Sequence, residues 1–317
     1  MHMLEPLPCS LRQLQYVVAV ADLGGFGRAA ARCHVSQPSL SAQIALVERT
    51  LGVRLFERNR RSVRVSQAGV AVIDRARQVL MATRDLVDAA RRQADPFSGS
   101  IRIGVLPTVC PYLLPEITPT LRDAYPQLSI QWAEEKTTTL VARIAEGTLD
   151  GAIVALDPRV NGLEAIEIDR DPFVLAAAPG HPLVRSKRPI DPGELDGAQV
   201  LLLEDGHCLR DQTLAICASA GATEAGYRAT SLATLVQMVG SSGGVTLLPS
   251  LALPVENRRS QLATRPFVRP VPGRTLALAW RRGSALETTL GAIGDTLKTA
   301  LSRTKRRAHT TSSRQRL

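Results

Sequence analysis

The sequence predicts an α/β protein of more than one domain, and three observations carry that reading. Its 317 residues exceed what a single core usually organises. Short helical patterns and an arginine-rich hairpin occupy residues 1–66, one unbroken amphipathic pattern follows over 67–95, and strands alternate with helices across 98–297. A basic tail, 298–317, completes the chain.

Leu11, Leu14, Val17, Val18 and Ala21 mark a first helix, and Gly27 to Arg32 a second, alanine-rich one. Ser36 is placed to cap a third helix, with Pro38 in its first turn and Leu40, Ile44, Leu46 and Val47 on one face. Two helices joined by a short turn predict a helix-turn-helix. The hydroxyls and amides of Ser36, Gln37, Ser39 and Gln43 at the start of the third helix suit the base edges of a major groove. From Arg54 to Val65, two short apolar strands flank Arg58, Arg60 and Arg61, a wing suited to phosphate. Val70, Ile73, Ala76, Val79, Leu80, Thr83, Leu86, Val87 and Ala90 then recur at helical spacing, predicting a helix about 40 Å long that offers a pairing surface to a second copy.

Turn-rich residues 95–100 and the Asp171-Pro172 step read as seams. Strands are expected over 100–105, 128–132, 151–155, 174–178, 200–203, 245–248 and 276–279, with helices over 113–125, 138–146 and 232–239. Such alternation implies parallel sheets, whose ligands gather at strand C-termini, where Thr108 and Thr137 fall.

The formal net charge is +10, and it is terminal. Residues 1–96 hold 14 arginines against 8 acids and the last twenty hold 7 basic side chains and no acid, whereas 97–297 carry 18 basic and 21 acidic groups. Basic ends around a mildly acidic middle suit a chain that meets a polyanion at one end and reads something smaller in between. The tail, with Arg303, Lys305, Arg306, Arg307, Arg314 and Arg316, reads as a disordered solvated extension or as an auxiliary phosphate contact. No run of 18 apolar residues is present and no secretory signal precedes Ser10, so no membrane partner and a cytoplasmic, reducing compartment are expected. The GxSxG match at 240–244 follows a helix and precedes a strand, the reverse of a nucleophile elbow. Phosphate-loop and HExxH patterns are absent, so the sequence predicts no enzyme, cofactor or metal.

The most informative segment is 203–217. Gly206 breaks a strand and Cys208 opens a helical pattern, where free amide groups and the helix dipole favour a thiolate, with His207 and Arg210 adding positive potential. Cys217 lies nine residues on, about 13 Å along a helix, whereas a disulfide needs Cα atoms within about 7 Å. Bridging the two requires unwinding, which would make the segment a bistable switch. Two cysteines buried as small hydrophobes would leave the same pattern.

The run through Ala29-Ala30, Ser36-Gln37-Pro38-Ser39-Leu40-Ser41, Leu51 to Arg58 and Gln67-Ala68-Gly69 resembles the DNA-binding end of LysR-type transcriptional regulators. That resemblance implies a winged helix-turn-helix, a dimerising linker helix and a two-lobed effector domain similar to periplasmic binding proteins. Residues 204–212, Cys217, 228–232 and 104–109 resemble the peroxide-sensing branch of the family. Likeness to that branch implies Cys208 as peroxidatic thiol, Cys217 as its disulfide partner, and Thr108, Thr137, His207, Asp211 and Arg274 as groups that orient hydrogen peroxide or stabilise the thiolate. It also implies Ser36, Gln37, Pro38, Ser39, Gln43, Arg54, Arg58, Arg60 and Arg61 as the face toward double-stranded promoter DNA, with RNA polymerase and self-association as homodimer or homotetramer. A regulator of the same family answering a metabolite between the lobes, and a thiol peroxidase, are the competing readings; residues 1–66 count against the second. Cys110 stands where the peroxide-sensing pattern usually has glycine and reads as a buried spectator, and Cys33 as helix-turn-helix core.

Overall fold

The computed structural model describes residues 8–59, 62–92 and 95–314, the side chains at 58, 59, 62, 88, 91, 92, 259, 260 and beyond 303 excepted. The chain divides into two compact units, residues 1–93 and 94–317.

In the first unit, helix α1 (Leu11–Leu23) starts at a capping box in which the Ser10 hydroxyl accepts from the Gln13 amide and the Gln13 side chain accepts from the Ser10 amide. Helix α2 (Phe26–Arg32) packs its alanines tightly, and α3 (Gln37–Leu51) is capped by Ser36, as its sequence predicts. Strands β1 (Phe56–Asn59) and β2 (Ser62–Val65) pair antiparallel as the wing. Val17, Val20, Ala29, Leu40, Ile44, Leu55 and Ile73 form one core, closed by an edge-to-face contact of Phe26 and Phe56. Helix α4 (Gln67–Arg92) spans 26 residues, about 39 Å. It buries Ile73 and Ala76 but leaves Val70, Val79, Leu86 and Val87 exposed, Leu86 by 70%. That unpartnered stripe lies on the positions the sequence assigns to pairing.

The second unit is built from β3 (Gly99–Val105), α5 (Cys110–Ala124), β4 (Leu128–Glu134), α6 (Thr137–Ala145), β5 (Gly151–Ala155), β6 (Leu163–Ala177), α7 (Pro182–Arg185), β7 (Gln199–Leu203), α8 (Cys208–Ser219), β8 (Thr223–Ala229), α9 (Leu232–Ser242), β9 (Val245–Pro249), α10 (Leu253–Ser260), β10 (Ala263–Pro266), β11 (Gly273–Arg281) and α11 (Glu287–Arg314). Its main sheet path runs β4-β3-β5-β11-β6-β9-β7-β8, with β10 beside β6. Pairing is parallel among β3, β4 and β5 and between β7 and both β8 and β9. The expectation of parallel sheets fails at the crossing strands: β11 lies antiparallel to β5 and β6, and β6 antiparallel to β9.

The Asp171-Pro172 step, read from sequence as a seam, lies inside β6. The strand pairs with β11 up to Pro172 and with β9 from Phe173 on, so the chain passes between lobes without leaving the sheet. Two apolar cores result. One gathers Ile101, Ile103, Leu113, Leu140, Ile153, Leu278 and Leu290, the other Phe173, Leu175, Leu201, Leu235, Val236 and Leu247. Tyr112 belongs to α5 but is buried in the second core, where its hydroxyl donates to Glu256 at 2.7 Å.

The boundary expected after residue 297 falls within α11, which continues because Leu290, Ile293, Leu297 and Leu301 remain buried against the first core. The helical periodicity of those residues was legible, but the charge run drew the boundary too early. The tail side chains from Lys305 to Arg316, and Arg60 and Arg61 of the wing, lie outside the described residues.

Gly69 in the first turn of α4 has a positional requirement: a Cβ there would stand 2.3 Å from the Leu55 carbonyl oxygen, a backbone atom that cannot swing aside. Gly69→Ala is therefore expected to destabilise the first unit by about 1–3 kcal/mol. Calorimetry of the full chain would register this as a lower-temperature transition for that unit, and an unshifted thermogram would show that the helix rides over the wing without strain.

Candidate functional site

The residues expected to face nucleic acid gather at the start of α3. Ser36, Gln37, Pro38 and Ser39 are exposed or partly exposed there. Ser36 uses its oxygen to accept from the Ser39 amide, so it builds the helix terminus and leaves Gln37 and Ser39 freer to read bases. The Gln43 carbonyl oxygen accepts from Gln13 at 2.9 Å, which leaves its amide NH2 as the outward donor. Arg54 is exposed before β1, and Arg58 lies on β1, its side chain outside the described residues.

The second site forms around Cys208, the first residue of α8, which is 2% exposed. Its surroundings come from strand ends and turns that the sheet brings together. Thr108 follows β3, Thr137 opens α6, and Arg274 lies near the start of β11. All three are buried. Arg274 donates from Nη1 to the Thr108 hydroxyl at 2.7 Å, from Nη2 to the Thr108 carbonyl at 2.9 Å, and from Nε to Asp171 at 3.0 Å. Asp171 is held in turn by the Leu251 amide at 3.0 Å. Because Thr108 Oγ already accepts from a guanidinium, its proton is free to be donated.

Among the described residues, the buried atoms Thr137 Oγ, His207 Nε2 and Gln212 Oε1 of α6, α8 and its cap have no hydrogen-bond partner. The Thr137 hydroxyl does lie near enough to the Cys208 sulfur to favour its thiolate, but without the geometry of a completed bond. An unsatisfied buried hydroxyl beside the thiol is what a small molecule able to donate and accept would relieve.

The resting thiolate expected from sequence is not what the environment favours. Burial is the largest influence and pushes the Cys208 thiol up; Arg274, then Thr137 and Arg159, pull it down without prevailing. The neighbours credited from sequence are also corrected. The Arg210 guanidinium is occupied by Asp205 at 2.9 Å, Glu224 at 2.9 and 3.0 Å, and the Leu203 carbonyl. His207 has its pKa lowered by burial and by Lys136, and therefore stays neutral. The cations that act on Cys208 are Arg274 and Arg159.

Asp211 is not buried with these groups. Its side chain is 55% exposed and pairs with Arg159 at 2.9 Å, while Asp157 holds the same guanidinium at 2.7 Å. Asp211 thus acts through Arg159, a residue that sequence reasoning passed over although it follows β5, at a strand C-terminus like Thr108. Asp171, the carboxylate that compensates Arg274, was likewise missed because it lies some hundred residues from its partner.

Cys217 lies on the same helix but is 3% exposed in the second core, whereas Cys208 is packed in the first. Burial pushes the Cys217 thiol up to about 11. Both are free thiols, separated by about 13 Å of helix. Cys110 is half-buried, and burial with the adjacent Glu134 carboxylate raises it to about 11, which makes it inert. Cys33 is half-buried against the first unit's core. Among the described residues, no group of three or more histidines, cysteines or acids could hold a metal, and no helix is long and apolar enough to cross a membrane.

Histidine 207 supplies a pH test. A folded-state pKa lowered below the ordinary 6.5 means that the unfolded chain binds the proton more readily. The stability owed to neutral His207 is complete above pH 6.5 and declines as pH falls through the folded value. Titration of the His207 ring by NMR should give a midpoint below 6.5, and His207→Gln should flatten the loss of stability below that pH; a midpoint above 6.5 would mean that Glu204, not burial, controls the ring.

Comparison with known proteins agrees with this layout. Residues 11–70 match the bacterial regulatory helix-turn-helix of the lysR family, and residues 94–302 match the LysR substrate binding domain. A hydrogen peroxide-inducible genes activator of Dickeya chrysanthemi is 42% identical over 91% of this chain and 95% of its own length. The DNA-binding transcriptional dual regulator OxyR of Escherichia coli K12 is 41% identical over the same shares. Among solved structures, a full-length OxyR variant from Pseudomonas aeruginosa superposes with a TM-score of 0.74 at 32% identity, covering 94% of this chain and 95% of that one. A peroxide-bound OxyR variant from Corynebacterium glutamicum gives 0.65 at 31% identity, covering 98% and 97%. With both halves of its fold matched and identity above 40% along nine-tenths of its length, the chain belongs to the LysR family of bacterial regulators, and within that family it is similar to OxyR.

Proposed function

We propose that the chain is a DNA-binding transcriptional regulator, not an enzyme, that senses hydrogen peroxide through Cys208 and records it as a Cys208–Cys217 disulfide. Residues 1–66 read promoter DNA, 67–95 pair copies into dimers and tetramers, and the domain from 98 on senses, α11 carrying it past residue 297. RNA polymerase is the partner through which oxidative-stress genes respond, and the cytoplasm the compartment. The observation that carries this reading is the chemistry around Cys208: a buried thiol acted on by Arg274, Thr137 and Arg159, with the Thr108 hydroxyl held on Arg274 and the Thr137 hydroxyl unpartnered among the described residues. A metabolite pocket between the lobes has no such need of a cysteine.

Peroxide is both donor and acceptor, and the Thr108 and Thr137 hydroxyls match it on both counts. Arg274 favours the thiolate that forms as the site is entered, although Asp171 already offsets part of its charge. The sulfur attacks one oxygen; an S–O bond forms, the O–O bond breaks, and the departing hydroxide leaves as water once protonated. Cys208 is thereby oxidised by two electrons to a sulfenic acid. The Cys217 thiol then attacks that sulfur, forming S–S, breaking S–O and releasing a second water. Cys217 reacts only after the helix opens, because burial in the second core keeps it protonated.

Mass spectrometry of the peroxide-treated full chain tests the reading. Loss of two hydrogens, with Cys208 and Cys217 linked, is expected in the parent. Cys208→Ser should abolish it, and Cys217→Ser should stop at a sulfenic acid on Cys208. A parent chain that keeps both thiols in excess peroxide would return the metabolite reading to first place.

Thr108→Val keeps the shape and removes the hydroxyl that Arg274 polarises. Stopped-flow oxidation of Cys208 should slow by about tenfold or more, while DNA affinity of the reduced protein stays at the parent value. Oxidation at the parent rate would mean that peroxide is oriented by other groups.

A further inference from the structure

Two ion pairs flank Cys208, and both take the cation from the first lobe and the anion from the Cys208 segment. Upstream, Lys136, the residue before α6, donates from Nζ to the Glu204 carboxylate at 2.5 Å and to the Asp205 carbonyl at 3.2 Å. Its methylene stem covers Gly206, where a Cβ would meet the Lys136 Cδ at 3.2 Å; with φ at +92°, that position also favours glycine. Downstream, Arg159 binds Asp211 at 2.9 Å from a guanidinium fixed by Asp157.

The helix itself holds its first turn weakly. His207 at the cap makes no side-chain bond to the free amides of that turn. The Arg210 network with Asp205, Glu224 and Arg228 ties the segment to β8 of its own lobe and does not cross to the other. Cys208 is kept in the first core by the burial of its sulfur together with the two cross-lobe pairs. Oxidation to a sulfenic acid adds a polar oxygen to that sulfur, which removes the apolar contribution and leaves the ion pairs as the remaining hold.

We propose that Lys136 and Arg159 are positioning residues for the thiol chemistry, an electrostatic clasp that keeps segment 204–211 in its reduced fold and sets how fast oxidised Cys208 leaves for Cys217. The kinetic part rests on the redox reading given above. The clasp is graded because its members are partly exposed: Lys136 and Glu204 at 35% and 39%, Arg159 and Asp211 at 27% and 55%. Such pairs are modest and screened by salt, so they tune a rate without locking the helix shut.

Two readouts on the full chain test it. Hydrogen exchange of the amides at 208–211 in the reduced protein reads the clasp without peroxide, and stopped-flow disulfide closure, relative to sulfenic acid formation in the same protein, reads its consequence. Lys136→Gln and Arg159→Gln should each raise both by about two- to fivefold. Raising salt from about 0.05 to about 0.5 M should raise them in the parent and much less in the double variant. Exchanging the charges, Lys136→Glu with Glu204→Lys, should return both toward the parent values, a rescue that loss of packing alone would not give. Unchanged exchange in both single variants, or closure in the parent that ignores salt, would overturn the clasp. A parent Cys208 that never reacts would instead overturn the redox reading and the kinetic role with it, while faster exchange in the variants would still uphold the structural hold on the segment.

Discussion

The sensing domain depends on one buried cation. Arg274 has no exposed side-chain surface, and an ion so placed is tolerable only when a carboxylate and hydrogen bonds replace the water it has lost. Asp171 supplies the charge, and Thr108 supplies both a hydroxyl and a carbonyl. These partners come from β6 and from the turn after β3, so satisfying the guanidinium fixes the relation between a crossing strand and a strand of the first lobe. The Leu251 amide, beyond β9, completes the set by holding the other oxygen of Asp171. A single electrostatic requirement therefore fixes the Thr108 hydroxyl on the cation that acts on Cys208, and the site inherits its rigidity from the need to keep Arg274 paired.

Cys208 itself is held in a contest between burial and charge. Burial raises its pKa, and Arg274, Thr137 and Arg159 oppose the rise. A protonated, buried thiol is shielded from indiscriminate oxidants and from other thiols. The groups that would favour the thiolate are nevertheless in place, and the Thr137 hydroxyl lacks a partner among the described residues. A small molecule that satisfies it brings its own hydrogen bonds to the one location where they shift the balance. Selectivity in this arrangement comes from withholding reactivity until the ligand completes the polar shell, which a freely exposed, already ionised cysteine would not achieve.

Much of this was legible in the sequence where the signal was local. The Ser36 cap with Pro38 behind it, the helical stripe of α4, the strand runs at 100–105 and 151–155, and the Gly206-His207-Cys208 strand break each depend on neighbours within a few residues. Errors arose where long-range packing decides. The seam read at Asp171-Pro172 does fall where the chain passes between lobes, and only its continuity was hidden: β6 exchanges one partner strand for another there without a break. Positive residues at His207 and Arg210 looked like thiolate stabilisers because they are adjacent in sequence, but one is neutralised by burial and the other is consumed by Glu224 and Asp205. Arg159 and Asp171, which do matter, were hidden by their distance along the chain. The division at residue 297 failed for a related reason: leucines buried at 297 and 301 carry α11 onward under a charge pattern that suggested its end.

On the proposed redox reading, the placement of the two cysteines would let one helix serve as a switch. Cys208 is buried in one core and Cys217 in the other, so α8 is pinned at both ends to different lobes as long as both remain apolar. A disulfide cannot form across about 13 Å of intact helix, and this prevents accidental pairing of the thiols by an outside oxidant. Once the sulfur at 208 becomes polar, the first core no longer favours it, and the weakly capped first turn can unwind. On the proposed reading the Cys217 thiol, held near 11 by its burial in the second core, would react only once the segment between the two cysteines has opened. The order of the two steps thus follows from packing: the same burial that suppresses both thiols at rest releases the second as a consequence of the first.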